Sequence, residues 1–304
     1  MEDYPRTILE FEKRFATEQA CRQFLFDLRW PEGVCCSRCG HGHVWPTARG
    51  LWKCAQCGRQ ISVTAGTIFQ GSHQPLRVWF RALWYVTSQK QGVSALGLQR
   101  VLGLGSYRTA WMWLHKLRRA MVRPGRERLT GTVEVDETYL GGPRPGKTGR
   151  GAAGKVLVVV AAQEKPEGIG RIRLRRVADA SARSLTAAVE QMIEPGSLVR
   201  TDDWNGYAQL PRRGYLRDVI RQGGQVGENL LPLANRVASL LKRWLLGTHH
   251  GAVRVSHLDY YLDEFTFRFN RRTSRSRGKL FFRLVQQAAM VAPVQGSTLR
   301  GARP

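Results

Sequence analysis

Cysteine is absent from residue 58 onward; all six cysteines of this 304-residue chain lie before that point. A disulfide framework running through the whole fold is thereby excluded, and a local metal site is the better expectation. Acidic residues are scarce, 23 against 48 lysines and arginines, for a net charge of +25 and a pI near 10.9. Such an imbalance points to a polyanionic partner, nucleic acid above all. Long hydrophobic runs are also missing. The longest, Val156–Ala162, is far shorter than the roughly 20 residues a membrane helix needs. The opening residues, MEDYPRTILEFEKR, hold no apolar signal core, so a cytoplasmic, nucleoid-associated protein is expected.

The cysteines that are present carry a pattern. CSRC supplies Cys36 and Cys39, and CAQC supplies Cys54 and Cys57. Two C-x-x-C pairs at this separation predict a zinc ribbon, with one structural Zn²⁺ held by four thiolates. Each pair is followed by glycine, Gly40 and Gly58, which suits a sharp knuckle. Cys35 competes with Cys36, but only Cys36 leaves a two-residue gap. His41 and His43 are expected at the surface. Cys21 shares a helical face with Phe11, Phe15, Phe24, Leu25 and Leu28 and is expected in a core.

Beyond the ribbon, GVSALGLQRVLGLGSYRTAWMWLHKLRRAMV divides into helices near 94–102 and 107–121 around a Gly-containing turn. Ser94 and Ser106 are suited to cap them. This is a helix-turn-helix pattern, with Trp111, Trp113 and Leu114 packing and Arg108, Lys116, Arg118 and Arg119 available to phosphates. Further on, GGPRPGKT fits the Walker A pattern. Its context does not fit. Pro143 and Pro145 remove amide donors from the would-be cradle, and Gly149, Gly151 and Gly154 oppose the helix that must follow. A basic loop in which Lys147, Arg150 and Lys155 meet phosphates is expected instead, with no nucleotide cofactor.

From residue 129 the texture alternates: three strands, a helix starting at Ser181, a strand in GSLVRTDDWNGY, then helices. That order matches an RNase H-like fold, in which carboxylates of neighbouring strands meet at one sheet edge. Asp136 lies within the first strand and Asp202 at the end of the fourth. Two such carboxylates suit two divalent ions, with oxygen ligands favouring Mg²⁺, or Mn²⁺ as substitute. Glu137 points to the opposite strand face from Asp136. The fold class expected is multidomain, α+β and α/β. A helical segment over 1–29 precedes a zinc ribbon over 30–66 and a helix-turn-helix region over 67–128. An RNase H-like domain over 129–290 and a tail over 291–304 follow.

The motifs VEVDETYLGG, TDDWNGY, LLKRWLLGTHHG and YLDEFTFRFNRR, with RWPEGVCCSRCG and the helix-turn-helix stretch, run nearly end to end. With them the chain resembles an insertion-sequence transposase of the DDE superfamily, in the fifteen-ninety-five group that carries an N-terminal zinc ribbon. The resemblance implies binding of terminal inverted repeats and target DNA, metal-dependent cleavage and strand transfer, and a homodimer or higher oligomer on DNA. It implies Asp136 and Asp202 as the first two triad members, Asn235 in the third place where Glu is usual, and Lys242 seven residues further. Asn235 offers an oxygen without charge; Glu228 and Glu264 are the acidic alternatives. A DNA-binding protein without catalysis and a metal-dependent nuclease without strand transfer are the competing readings.

Overall fold

The computed structural model describes residues 3–123, 125–141, 155–221, 229–251 and 253–294. In chain order the elements are α1 (Ile8–Arg14), α2 (Glu18–Arg29), β1 (Val44–Pro46), β2 (Trp52–Cys54), β3 (Gln60–Ile61), α3 (Leu76–Ser88), α4 (Ala95–Leu102) and α5 (Tyr107–Ala120). Then follow β4 (Thr132–Leu140), β5 (Val156–Lys165), β6 (Gly168–Val177), α6 (Ala182–Met192), β7 (Leu198–Thr201), β8 (Leu216–Val219), α7 (Pro232–His249), α8 (Leu258–Phe269) and α9 (Arg277–Met290). The chain forms two compact units. One comprises residues 1–124 and 274–303, and the other residues 125–273. No helix among the described residues is long and apolar enough to cross a membrane.

In the first unit the N-terminal segment is two helices. Thr7 and Thr17 cap them, their side chains accepting from the amides of Glu10 and Ala20, and Phe15 turns the chain between them. Phe11, Phe15, Cys21, Phe24 and Leu25 are buried as expected. Their partners include an element expected elsewhere. Phe281 of α9 is fully buried, its ring 5.3 Å from Phe11, 5.6 Å from Phe15 and 5.8 Å from Phe80. The boundary drawn at residue 290 is therefore corrected to 273: aromatic packing draws α9 into the N-terminal unit. Ser94 and Ser106 do cap α4 and α5, accepting from Gly97 N and Arg108 N at 3.0 and 3.2 Å. Trp113 of α5 stacks on Trp79 of α3 at 3.7 Å, and Leu114 is buried beside it in the sequence.

The second unit is built on a five-stranded sheet of order β6-β5-β4-β7-β8. β4, β5 and β6 are antiparallel neighbours, whereas β4–β7 and β7–β8 are parallel. This is the RNase H-like arrangement. β8 is a strand absent from the sequence expectation; it is short, lies at the edge and carries Arg217 and Asp218. Alternation along the central strands feeds two cores. Val158, Val160 and Leu140 pack with Val237 and Leu241 of α7 and Leu262 of α8. Val133, Val135 and Val159 pack with Leu185 and Val189 of α6. The outer edge of β6 is closed at Ile172, whose N–H donates to Asn270 Oδ1 at 2.7 Å while Asn270 Nδ2 donates to its carbonyl at 3.1 Å, a covering that opposes edge pairing.

Helix α3 has no cap of its own, since Pro75 precedes it. Glu18 of α2 substitutes, its two carboxylate oxygens accepting from Leu76 N and Arg77 N at 3.0 Å each. Glu18→Ala is expected to destabilise the zinc-loaded protein by ~1–2 kcal/mol, the cost of a lost N-terminal cap. Thermal denaturation checks it; an unchanged midpoint contradicts the cap.

Candidate active site and metal centre

The ribbon sheet β1–β3 contains only eight residues and is too small to hold itself together. Two interactions compensate. Trp52 stacks on Phe26 of α2 at 4.6 Å. The sulfur atoms of Cys36, Cys39, Cys54 and Cys57 converge, all within 4.8 Å of one another. Cys36–Cys57 and Cys39–Cys54 lie 3.6 Å apart. The two knuckles repeat one geometry: Gly40 N donates to Cys36 O at 2.8 Å and Gly58 N to Cys54 O at 3.1 Å. Both glycines have left-handed φ, 73° and 69°, which other residues adopt only with strain. The backbone amides of Arg38 and then Cys39 pull the Cys36 thiol down to about 6, and the Cys57 amide lowers Cys54. Four sulfur atoms converging at these distances fit a structural zinc site, whose cysteines bind as thiolates. Cys35 is exposed and donates to Gly40 O at 3.0 Å, outside the cluster.

The carboxylate pair arises from sheet register. β4 and β7 run parallel with Val133 beside Val199 and Glu134 beside Arg200. Carried two residues further, the same register sets Asp136 beside Asp202, where the pairing has ended and the two strands part. Ligands of open α/β sheets bind at such carboxyl-terminal crevices. Both aspartates are half-buried. Asp136 Oδ1 accepts from Glu137 N at 2.8 Å, and Asp202 Oδ1 from Trp204 N at 3.1 Å. The turn carrying Asp202 is held from the edge strand: Arg217 donates to Thr201 Oγ1 and to the carbonyls of Asp202 and Trp204 at 3.1–3.2 Å. Trp204 Nε1 donates to Ala180 O at 3.0 Å.

Beneath the pair sits Tyr207, fully buried. Its phenol is raised well above its ordinary value, first by burial and then by the charges of Glu137, Asp136 and Asp202. Three carboxylates thus gather around one phenol. Glu137 is on the α6 side, since its register partner Val159 and Tyr207 belong to the α6 core, while Val160, the partner of Asp136, belongs to the α7 core.

Asn235 lies in the first turn of α7, half-buried, its Nδ2 donating to Asn229 Oδ1 at 2.7 Å. Its Oδ1 is then the atom suited to a cation. Lys242 is exposed two turns on, about 10 Å along the axis. Glu264 is not in this group. It is 1% exposed and paired with Arg268 at 2.8 Å. Glu228, Lys147 and Arg150 lie outside the described residues, and Lys155 is half-buried at the foot of β5. Two helix-turn-helix cations need correction. Arg118 is 2% exposed, with Nη1 3.5 Å from His115 Nε2, because it follows Ala110 and Leu114 on the buried face of α5. Lys116 is half-buried over the Trp79 ring, and burial lowers its pKa. Arg108 and Arg119 remain exposed.

Sequence reasoning missed three residues that build the site: Tyr207, Arg217 and Glu134. Glu134 is 5% exposed, and burial raises its pKa against the opposing pull of the Ala234 and Leu233 amides. Its signal was available: it stands two residues before Asp136 on an alternating strand, hence on the same face.

The transposase zinc-ribbon domain family matches residues 16–60, and the ISXO2-like transposase domain family matches residues 128–270. A protein described as an uncharacterized protein in transposable element ISH50, from Halobacterium salinarum, is 27% identical over 301 residues, covering 91% of this chain and 99% of that one. Among solved structures, the catalytic core domain of BIV integrase is similar at a TM-score of 0.30 and 12% identity, over 44% of this chain and 81% of that chain. A simian T-cell lymphotropic virus intasome in complex with PP2A regulatory subunit B56 gamma is similar at 0.32 and 14%, over 66% and 72%.

The zinc assignment makes a direct prediction. Purified protein is expected to contain about one zinc per chain, and Cys36→Ser to lose it while Cys35→Ser keeps it. Metal analysis decides; retention by Cys36→Ser with loss by Cys35→Ser moves the ligand by one position. The chain thus carries a stretch similar to the transposase zinc-ribbon domain, followed by one similar to the ISXO2-like transposase domain.

Proposed function

We propose that this protein is a transposase that binds the terminal inverted repeats of its insertion sequence, cleaves DNA and joins the ends to a target. The observation that carries the reading is the β4–β7 register, whose continuation past Glu134 and Arg200 aligns Asp136 with Asp202. Asp136, Asp202 and the Oδ1 of Asn235 would hold two Mg²⁺ ions, with Mn²⁺ as substitute. The ions, when bound, supply activation of a water or hydroxyl and stabilisation of charge on the phosphodiester. The protein's own groups do the rest. Arg217 and Trp204 hold the Asp202 turn rigid. Lys242 meets a phosphate of the cleaved end as a point cation. Arg108 and Arg119 on α5, with the basic residues Lys147, Arg150 and Lys155, carry duplex contacts to phosphate. The net charge of +25 supports such contacts, and assembly of two or more copies on DNA is part of the same proposal.

Asn235 favours one second reading, a DNA-binding protein without catalysis, because it brings no charge to the metals. Cleavage of a terminal-repeat duplex in Mg²⁺ and in Mn²⁺ separates the two. Wild type is expected to cleave. Asp136→Ala and Asp202→Ala should each lose about 10³-fold or more, the equivalent of several kcal/mol of transition-state stabilisation. Asn235→Ala should lose less. A wild-type protein silent in both metals on its own ends, while still binding them, establishes the second reading.

A further inference from the structure

Glu134 does something that a metal-site reading of β4 leaves out. Its Oε2 accepts from Leu233 N at 2.7 Å and from Ala234 N at 3.0 Å. These are amides of the first turn of α7, a helix end with no local cap: Leu231 stands at the N-cap position and makes no side-chain cap bond, and Pro232 follows. Amides at a helix start have no partner within the helix, and the dipole there favours an anion. A serine at the N-cap would have satisfied them, but would have tied the helix only to itself. A glutamate from the sheet satisfies them and fixes where the helix begins. On the strand, Asp136 follows two residues later on the same face. On the helix, Asn235 follows at once.

We propose that Glu134 is a positioning residue that clamps the first turn of α7 to β4 and so sets Asn235 against Asp136. This rests on Asn235 being the third ligand, as proposed above. The clamp explains why a carboxylate is buried on the face it shares with Asp136 without belonging to the metal set. One oxygen receives both amides in a site shielded from water, where charge-assisted bonds are strongest. The constraint is also economical in sequence: one side chain sets the spacing between a strand residue and a helix residue about 100 positions away.

Full-length wild type, Glu134→Ala, Glu134→Gln, Asn235→Ala and the double variant Glu134→Ala/Asn235→Ala test it. Hydrogen exchange over residues 229–240 reads the clamp without any need for activity. Glu134→Ala should speed exchange of the Leu233 and Ala234 amides about tenfold or more. Glu134→Gln, whose single carbonyl oxygen still accepts both, should stay within about threefold of wild type. In Mg²⁺-dependent cleavage, Glu134→Gln should rescue most of the activity that Glu134→Ala loses. Adding Asn235→Ala to Glu134→Ala should cost less than about twofold more, because both act through one ligand. Unchanged exchange in Glu134→Ala overturns the clamp. So do losses that multiply in the double variant, or a Glu134→Gln protein as inactive as Asp136→Ala with α7 still protected, which would make Glu134 a metal ligand. If Glu134→Ala does not fold, the exchange and cleavage of Glu134→Gln decide. If the wild type does not cleave at all, the transposase reading fails while the exchange result still judges the clamp.

Discussion

The short parallel pairing of β4 with β7 is the constraint on which the site depends. It spans three residue pairs and stops at Glu134 and Arg200. A parallel pair needs a crossover, supplied here by β5, β6 and α6, and it needs both faces covered. The two cores cover them, α7 and α8 on one side and α6 on the other. Because the pairing ends where it does, its continuation aligns Asp136 with Asp202 at a parting of strands. A slip of one residue would turn Asp136 to the α6 face and bring Glu137 to the α7 face. The buried Val133 and Val135 ahead of Asp136, and the register of β4 with β5 over eight pairs, oppose that slip.

The two units are stabilised in different ways. The second has a continuous hydrophobic interior around its sheet. In the first, aromatic rings of α1, α2, α3 and α9 form the interior, while the ribbon has a three-stranded sheet too small for a core. Metal ligation supplies the missing free energy in such a module, on the order of 10–16 kcal/mol for structural zinc. Tertiary caps recur in both units. Glu18 closes α3, which follows Pro75, and Glu134 closes α7, which begins at Pro232; neither helix has a local side-chain cap.

Local features were legible in the sequence and distant ones were not. Four cysteines at fixed spacing declare their geometry, since a knuckle is a local turn. Ser94 and Ser106 cap helices three residues or fewer away. The strand positions of Asp136 and Asp202 were legible because each lies at a definite place in a strand pattern. β8 was hidden: four residues with Arg217 and Asp218 among them do not alternate cleanly, and its strand character comes from β7 beside it. The home of α9 was hidden because Phe281 meets rings some 200–270 positions earlier. Arg118 illustrates the opposite error. Its charge suggested a phosphate contact, yet its place one four-residue step beyond Leu114, and two beyond Ala110, already put it on the inner face. Glu134 was passed over because a helix cap was sought only in the residues just before the helix.

Titration with Mn²⁺, followed by electron paramagnetic resonance, reads the carboxylate pair without DNA or turnover. Wild type is expected to bind Mn²⁺ at a spin-coupled pair, with the ions about 4 Å apart. Asp136→Asn and Asp202→Asn are each expected to abolish the coupling while Glu264→Gln leaves it intact. Coupled binding that survives Asp202→Asn would contradict the account, since the β4–β7 register would then not be what brings the ligands together.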